Sequence, residues 1–315
     1  MREQPRLFCL DTVLIDVVLS VAALPPRAGD VRALEQLVTT GGGFNAMSAA
    51  SRHHLRTDYA GRLGAGPFSD MASVSLTGEN IGVPVEANAD LDTGICVVLV
   101  EPDGERTFVT APGAEGTLRF ADLDALEVQD GDYVLVSGYN VMYPGSAEPV
   151  LAWLRELSSG VTVLFDPATR AEDIPATNVK AVLGVATWLS CNEREATQLS
   201  GSENVKEAAV ALATRNEKMN VVVRLGPAGC LVALNHAEAF DVRGFATDVV
   251  DTNGAGDVHN GVFIAELASG HDAIAAARWA NAAAAMAVSR FGPATCPTRE
   301  EVAVFIESTD PQIQK

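Results

Sequence analysis

The chain has 315 residues, with 22 Lys+Arg against 41 Asp+Glu and a formal charge of −19. That balance excludes nucleic acid and an anionic membrane surface as natural partners, since both require clustered Lys/Arg; a small phosphate held by backbone N–H groups stays open. At 48% hydrophobic residues a full core is available, and the length suits two domains or one large α/β domain.

The N-terminal apolar stretch 7–24 is interrupted by Asp11 and Asp16, and no unbroken apolar run of about 18 residues exists. Cys9, Cys96, Cys191, Cys230 and Cys296 are odd in number and show no C-x-x-C spacing. A disulfide framework or structural zinc is therefore not expected, and the pattern fits a reducing cytoplasm.

Along the chain, apolar runs at 7–10, 133–137, 161–165, 187–190 and 221–225 read as strands buried on both faces of a parallel sheet. Helical patterns at 147–157, 193–199, 205–214 and 272–289 alternate with them, which implies βαβ units and a layered α/β fold. Two regions break the rhythm. Residues 13–38, with Pro25, Pro26 and Gly29, are strand-like without helical periodicity, and 95–100 and 106–110 flank the turn signal Pro102-Asp103-Gly104 as a hairpin. Together they predict a small β-element over the α/β body. Residues after Ser308 read as a frayed tail.

The most informative stretch is DVVDTNGAGDVHNGVFIAEL, 248–267. Val249 and Val250 read as the end of a strand, and a helix pattern starts near Asp257. Gly254, Ala255 and Gly256 can present consecutive N–H groups at a helix opening, an anion site. Asp257 sits beside it, where a carboxylate could take the proton of a hydroxyl attacking a phosphate. The same residues would also serve as a tight turn and a helix cap. In GGGFNAMSAASR, 41–52, three glycines precede a helix beginning at Phe44 or Asn45 and let a ligand approach the backbone. A close-packed helix entry is the plainer reading. No P-loop, G-x-G-x-x-G, H-E-x-x-H or G-x-S-x-G motif occurs. His53 and His54, adjacent on a helix, do not converge as metal ligands and are expected at the surface; His259 is expected to be structural.

On these residues the chain resembles the ribokinase-like (PfkB) carbohydrate kinases, over roughly 7–305. DTNGAGD (251–257) resembles the family's C-terminal signature and GGGFNA (41–46) its N-terminal glycine signature. Asn192-Glu193-Arg194-Glu195 is similar to its N-x-x-E element, VVVRLGPAG (221–229) to the strand and loop flanking the nucleotide, and ANAAAAMAVSRFG (280–292) to the helix and turn near the adenine. The resemblance implies one α/β kinase domain over 1–315: a ribokinase-like three-layer αβα sandwich with a mainly parallel central sheet. A discontinuous β-sheet lid, from approximately 13–38 and 93–112, would cover it. The implied activity is ATP-dependent, Mg²⁺-assisted phosphoryl transfer to a hydroxyl of a small carbohydrate. A nucleoside or sugar-acid kinase, and a non-catalytic ligand-sensing relative, are the alternatives.

Carried over by residue, the resemblance makes Asp257 the catalytic base and Gly254, Ala255 and Gly256 the anion hole. Asp16, Gly42 and Asn45 would bind the sugar. Asn192, Arg224, Gly226, Gly229 and Asn281 would lie along the nucleotide. Glu195 would act on Mg²⁺ through water, and Asp251 and Asn253 would contribute to a K⁺ site. Arg106 on the hairpin, or Arg170, would meet a phosphorylated or carboxylated acceptor; Phe108, Tyr139 and Tyr143 would suit a nucleoside. In several relatives the lid sheet also pairs two subunits, which implies a homodimer. Asp11 and Leu14 stand where ribokinases usually carry Gly and Asn, so the resemblance does not imply ribose itself. Cys296 falls near a position that is often a cation-site Ser.

Overall fold

The computed structural model describes residues 4–103, 105–168, 171–292 and 294–309; Gly104 of the expected turn, Arg170 and the tail 310–315 lie outside them. The chain opens with β1 (Arg6–Leu10), β2 (Val13–Ser20), β3 (Glu35–Gly42), α1 (Phe44–Arg52), β4 (Arg56–Tyr59) and α2 (Pro67–Gly78). It continues through β5 (Ile95–Val100), β6 (Arg106–Ala111), α3 (Phe120–Asp124), β7 (Tyr133–Ser137), α4 (Gly138–Met142), α5 (Ala147–Glu156) and β8 (Thr162–Asp166). There follow α6 (Ala176–Leu183), β9 (Trp188–Asn192), α7 (Glu193–Ser200), α8 (Val205–Leu212), β10 (Asn220–Arg224), β11 (Gly229–Ala233) and β12 (Ala239–Arg243). Three helices close the chain: α9 (Ala255–Ala268), α10 (Ala273–Val288) and α11 (Arg299–Thr309).

Eight strands form one sheet in the order β12-β11-β10-β9-β8-β7-β1-β4, parallel except for β11, which pairs antiparallel with both β10 and β12. The apolar runs are continuous because both faces are covered. Leu7 and Cys9 of β1 point into a core shared with α1, α9 and α10, while Phe8 and Leu10 point into a second core under α3, α5, α6 and α8. This is the three-layer αβα arrangement. β1 is hydrogen-bonded to β4 on one side and β7 on the other, so the strand order reverses there. Crevices outside the carboxyl ends of strands at such a reversal are where α/β sheets bind ligands.

A separate four-stranded sheet has the order β3-β2-β5-β6. β5 and β6 form the expected hairpin, from Ile95↔Ala111 to Val100↔Arg106. By register, Leu14, Asp16, Cys96, Val98, Phe108 and Arg106 share one face. Leu14, Cys96 and Val98 are buried in a cluster of their own.

Three expectations need correction. Residues 13–38 are not one strand-like stretch: β2 and β3 are separated by residues 21–34, where Pro25 and Pro26 supply no N–H for a ladder. Val249 and Val250 end no strand and are 58% and 59% exposed, because the sheet already terminates at β12. That segment is tied instead to the end of α10, where the Val250 and Asp251 amides both donate to the Val288 carbonyl. His53 is buried, not at the surface, and its Nδ1 meets Glu266 Oε1 at 2.9 Å, while His54 is exposed as expected. The α1–α9 packing that buries it is close: a Cβ on Gly261 would lie 2.1 Å from the Ala46 carbonyl oxygen. Among the described residues no helix is long and apolar enough to cross a membrane.

Candidate active site

The carboxyl ends of the parallel strands deliver a ring of polar side chains to one edge of the sheet. Asp11 follows β1, and Ser137, Asp166, Asn192 and Arg224 end β7, β8, β9 and β10. Helix α9 points its N-terminus at this edge, beginning at Ala255 after an N-cap Gly254 in the left-handed region, φ +73. Only a residue without a Cβ adopts that turn cheaply, and an added Cβ would lie 3.1 Å from Asn45 Nδ2. The Ala255 amide donates to the Thr252 carbonyl at 3.3 Å, while the next first-turn amides, of Gly256 and Asp257, have no preceding helical carbonyl of their own, and the helix dipole adds to them.

Asp257 lies in that first turn, half-buried. Asn45 Nδ2, from the first turn of α1, donates to Asp257 Oδ2 at 3.1 Å, while Asn45 Oδ1 accepts the Ala294 amide at 2.9 Å. The Asn45 side chain is thereby fixed at both ends. Burial pushes the Asp257 carboxyl up to about 6; the Asn45 hydrogen bond and Arg224 pull it down, and Asp166 pushes it up.

Asp16 is buried on β2, and burial, then the charge of Asp257, push it up to about 7. The glycines at the end of β3 make room for it. A Cβ on Gly41 would lie 2.1 Å from Asp16 Oδ2, and Gly42, at φ +65, would place one 2.1 Å from the Thr12 carbonyl oxygen. The plain reading of the glycine triplet, a close-packed entry into α1, therefore holds alongside any ligand role. Asp11, which the sequence marked only as a departure, belongs to the same group. Its carboxyl is pushed up to about 8, first by burial and then by Asp257, against hydrogen bonds from Ser137 and the Thr12 amide.

Beneath the α9 turn, Arg224 holds a polar network. Its Nη1 donates to Asp166 Oδ2 at 2.9 Å, Ser190 Oγ at 2.6 Å and Asn260 Oδ1 at 3.0 Å, and Nη2 lies 3.9 Å from Glu195 Oε2. Its guanidinium carbon is 3.5 Å from where a Gly256 Cβ would stand, so this positive charge sits against the glycine turn. Asn192 and Glu195 cap α7 reciprocally: the Glu195 amide donates to Asn192 Oδ1 and the Asn192 amide to Glu195 Oε2, both at 2.8 Å. Burial, then the charge of Asp166, push the Glu195 carboxyl up.

Asp16, Asn45, Asp257, Gly254–Gly256, Arg224 and Glu195 are thus brought to one edge. Asn281 is buried, and its Nδ2 donates to the Val242 and Arg243 carbonyls at 3.0 and 3.2 Å, tying α10 to β12; that Val242 carbonyl also lies 2.2 Å from where a Gly229 Cβ would stand. Gly226 and Gly229, both at positive φ, bound the exposed turn between β10 and β11. His259 is buried against Phe263, and burial pushes it down to about 3, which keeps it neutral. Arg106 does not stand free for an anionic acceptor. Its Nη2 donates to Asp251 Oδ1 and its Nη1 to Thr252 Oγ1 at 3.4 Å. Sequence reasoning missed Asp166, Ser190 and Asn260; the available signals were an Asp closing a strand and an Asn one helical turn after Asp257.

Two cations can be tested against these groups. Among the described residues no three His, Cys, Asp or Glu side chains form a metal cage. Asp166 and Glu195 share the single guanidinium of Arg224, however, leaving an excess negative charge that suits Mg²⁺ carried on nucleotide phosphates. A K⁺ ion at Asp251 would have to displace Arg106. Oδ1 already accepts the Asn253 amide at 2.8 Å as well as Arg106, and Oδ2 accepts the Gly292 amide at 3.1 Å.

Comparison with known proteins identifies the family and the fold. The chain is 34% identical to the uncharacterized sugar kinase YegV of Escherichia coli K12 over 294 residues, covering 92% of this chain and 90% of that protein. It is 29% identical to an ATP-dependent ribose-1-phosphate kinase of Halopiger xanaduensis over 295 residues, covering 92% and 94%. A ribokinase structure from Thermotoga maritima superposes with a TM-score of 0.83 at 27% identity, covering 97% of this chain and all of that one. The family model for pfkB family carbohydrate kinases matches residues 4–300, and the chain belongs to that family.

Proposed function

We propose that this ATP-dependent carbohydrate kinase transfers the γ-phosphoryl group of ATP to a hydroxyl of a small neutral carbohydrate, with Asp257 as general base. The observation that carries this reading is the position of Asp257. It is a half-buried carboxylate in the first turn of α9, one residue past the glycine turn and hydrogen-bonded by Asn45. Raised to about 6, it is mostly ionised at neutral pH and still basic enough to take a hydroxyl proton.

Phosphoryl transfer needs positioning and charge stabilisation more than covalent help. The Gly254–Gly256 amides, the α9 dipole and the Arg224 charge behind Gly256 supply fixed positive potential for the transferring group. Asp16, Gly42 and Asn45 would hold the acceptor hydroxyls. The 226–229 turn would run along the nucleotide, and Glu195 would orient Mg²⁺ through water, with Asn192 fixing that carboxylate. Mg²⁺, when bound with ATP, neutralises charge on the phosphates. The four-stranded sheet would act as a lid over this edge, excluding water that competes as acceptor.

A neutral acceptor is favoured because, of the two arginines expected to meet an anionic one, the one within the described residues, Arg106, is committed to Asp251. On the opposite face of the lid, Val17, Leu19, Val38, Val97, Leu99 and Val109 form an apolar surface, with Val38 and Val109 45% and 60% exposed. That surface suits a second copy of the chain, hence a homodimer.

The test is ADP release across a panel of sugars, sugar acids and nucleosides, with the Asp257→Asn variant as control. Removing a general base should lower kcat by about 10²–10⁴. Undiminished turnover by the variant would overturn the mechanism, and a preference for sugar acids or nucleosides would overturn the neutral-sugar reading.

A further inference from the structure

We infer that the Arg106 guanidinium is a built-in cation at Asp251, standing where a monovalent metal ion would otherwise neutralise the loop that opens the phosphate-binding helix. Closure of the lid would then supply this charge, and the kinase would need no potassium. The inference rests on the proposed kinase reading of the α9 edge and adds a positioning residue to it.

The argument begins with Asp251. Its side chain is only 10% exposed and lies three residues before Gly254, so its charge sits beside the place where nucleotide phosphates would arrive. An unpaired buried carboxylate is costly, and one next to incoming phosphates also repels them. Two backbone amides, of Asn253 and Gly292, meet its oxygens, but amides supply dipoles and no net charge. The net charge is met by Arg106, 145 residues away on β6, whose side chain is 22% exposed. Its planar fork spans Asp251 and the Thr252 hydroxyl, a geometry that suits a guanidinium better than a spherical ion.

Arg106 belongs to the four-stranded sheet and Asp251 to the loop entering α9, so their ion pair joins lid to body. Guanidinium and metal ion claim the same carboxylate and exclude each other. The same contact therefore fastens the lid and replaces the ion.

The test compares wild type with Arg106→Ala in potassium chloride and in N-methylglucamine chloride at equal ionic strength, with two readouts. The first is thermal unfolding without substrates, which does not depend on the kinase reading. Potassium should raise the Tm of Arg106→Ala and leave the wild type unmoved. The second is turnover. The wild type should be equally active in both salts, while kcat/KM of Arg106→Ala should fall by about tenfold or more, as when one partner of a buried charge pair is truncated. Potassium or methylguanidinium should restore part of that loss. In the double variant Arg106→Ala/Asp251→Asn, where no cation is required, the potassium response of Arg106→Ala should vanish in both readouts. A wild type strongly activated by potassium, or an Arg106→Ala variant as indifferent to potassium as the wild type, would overturn the inference. If Arg106→Ala does not fold, Arg106→Gln takes its place under the same criteria. Absence of turnover on every acceptor would count against the kinase reading instead, since the unfolding result stands apart from it.

Discussion

Asn45 Nδ2 donates to Asp257 Oδ2 at 3.1 Å, joining the first turns of two helices that are 212 residues apart in sequence. Each of these first turns follows a glycine at the cap position, Gly43 for α1 and Gly254 for α9. The contact connects the two glycine motifs and favours the ionised form of the proposed base against the effect of burial.

Loss of that contact should shift the pH profile. The Asn45 hydrogen bond favours the ionised form of Asp257, so Asn45→Ala should raise the carboxyl further above about 6. In wild type, kcat should rise through an acid limb near pH 6 to a plateau above it, as Asp257 loses its proton. In Asn45→Ala the limb should move to higher pH by roughly one unit, equivalent to ~1.4 kcal/mol. A pH–kcat profile for each protein checks this. A lowered plateau with an unmoved limb would mean that Asn45 serves the acceptor only.

Asp11 makes a prediction about stability rather than rate. Its carboxyl is held at about 8, above the ordinary value near 4, so the folded chain binds this proton more tightly than the unfolded chain. That contribution is complete below about pH 4 and is lost as pH rises through about 8. Asp11→Asn cannot ionise and keeps an oxygen for the Thr12 amide, which donates to Asp11 Oδ1 at 2.7 Å. Its Tm should match wild type at or below about pH 4 and exceed it by a margin that grows as pH rises to about 8, since such a shift removes ~1.4 kcal/mol of wild-type stability per pH unit. Calorimetry across that range is the measurement. A constant offset at all pH values would contradict the titration of Asp11.

Glu266 stabilises the opposite end of α9. Its buried carboxylate meets His53 Nδ1 and Arg299 Nε at 2.9 Å, Arg299 Nη2 at 3.0 Å and His271 Nδ1 at 2.9 Å. Burial alone would raise it, but the hydrogen bonds from His53 and Arg299 hold it at about 2. Its stabilisation is therefore present above the ordinary Glu value, near 4.5, and lost only as pH falls through about 2. Glu266→Ala leaves Arg299 without its counter-ion and the buried His53 without its partner, and should cost about 3–5 kcal/mol in denaturant unfolding, with KM for ATP little changed in the fraction that folds. A loss below ~1 kcal/mol would mean water replaces the carboxylate.

Much of the fold was legible because its signals are local. Continuous apolar runs marked the strands of the parallel sheet, and Gly254 and Gly42 marked turns that need positive φ. Of the strands missed, β4 has only four residues and β12 lies at a sheet edge, where solvent dilutes the apolar pattern, while β11 is buried throughout and was overlooked behind the Gly226–Gly229 turn. His53 was misjudged because its burial depends on how α1 packs against α9, which no window of sequence contains.

The site divides along the same line. The sequence alone determined that a glycine turn opens a helix with Asp257 in its first turn, since chain connectivity places those residues together. The partners of that helix were left to tertiary structure. Arg224 reaches Asp166 and Asn260 because β10, β9 and β8 are neighbours in the sheet, and Arg106 reaches Asp251 because the small sheet folds over the α9 loop. Charge complementarity between distant residues acts through space. Strand order and the placement of the small sheet decide which charges meet, and so they decided that Asp251 is answered by an arginine.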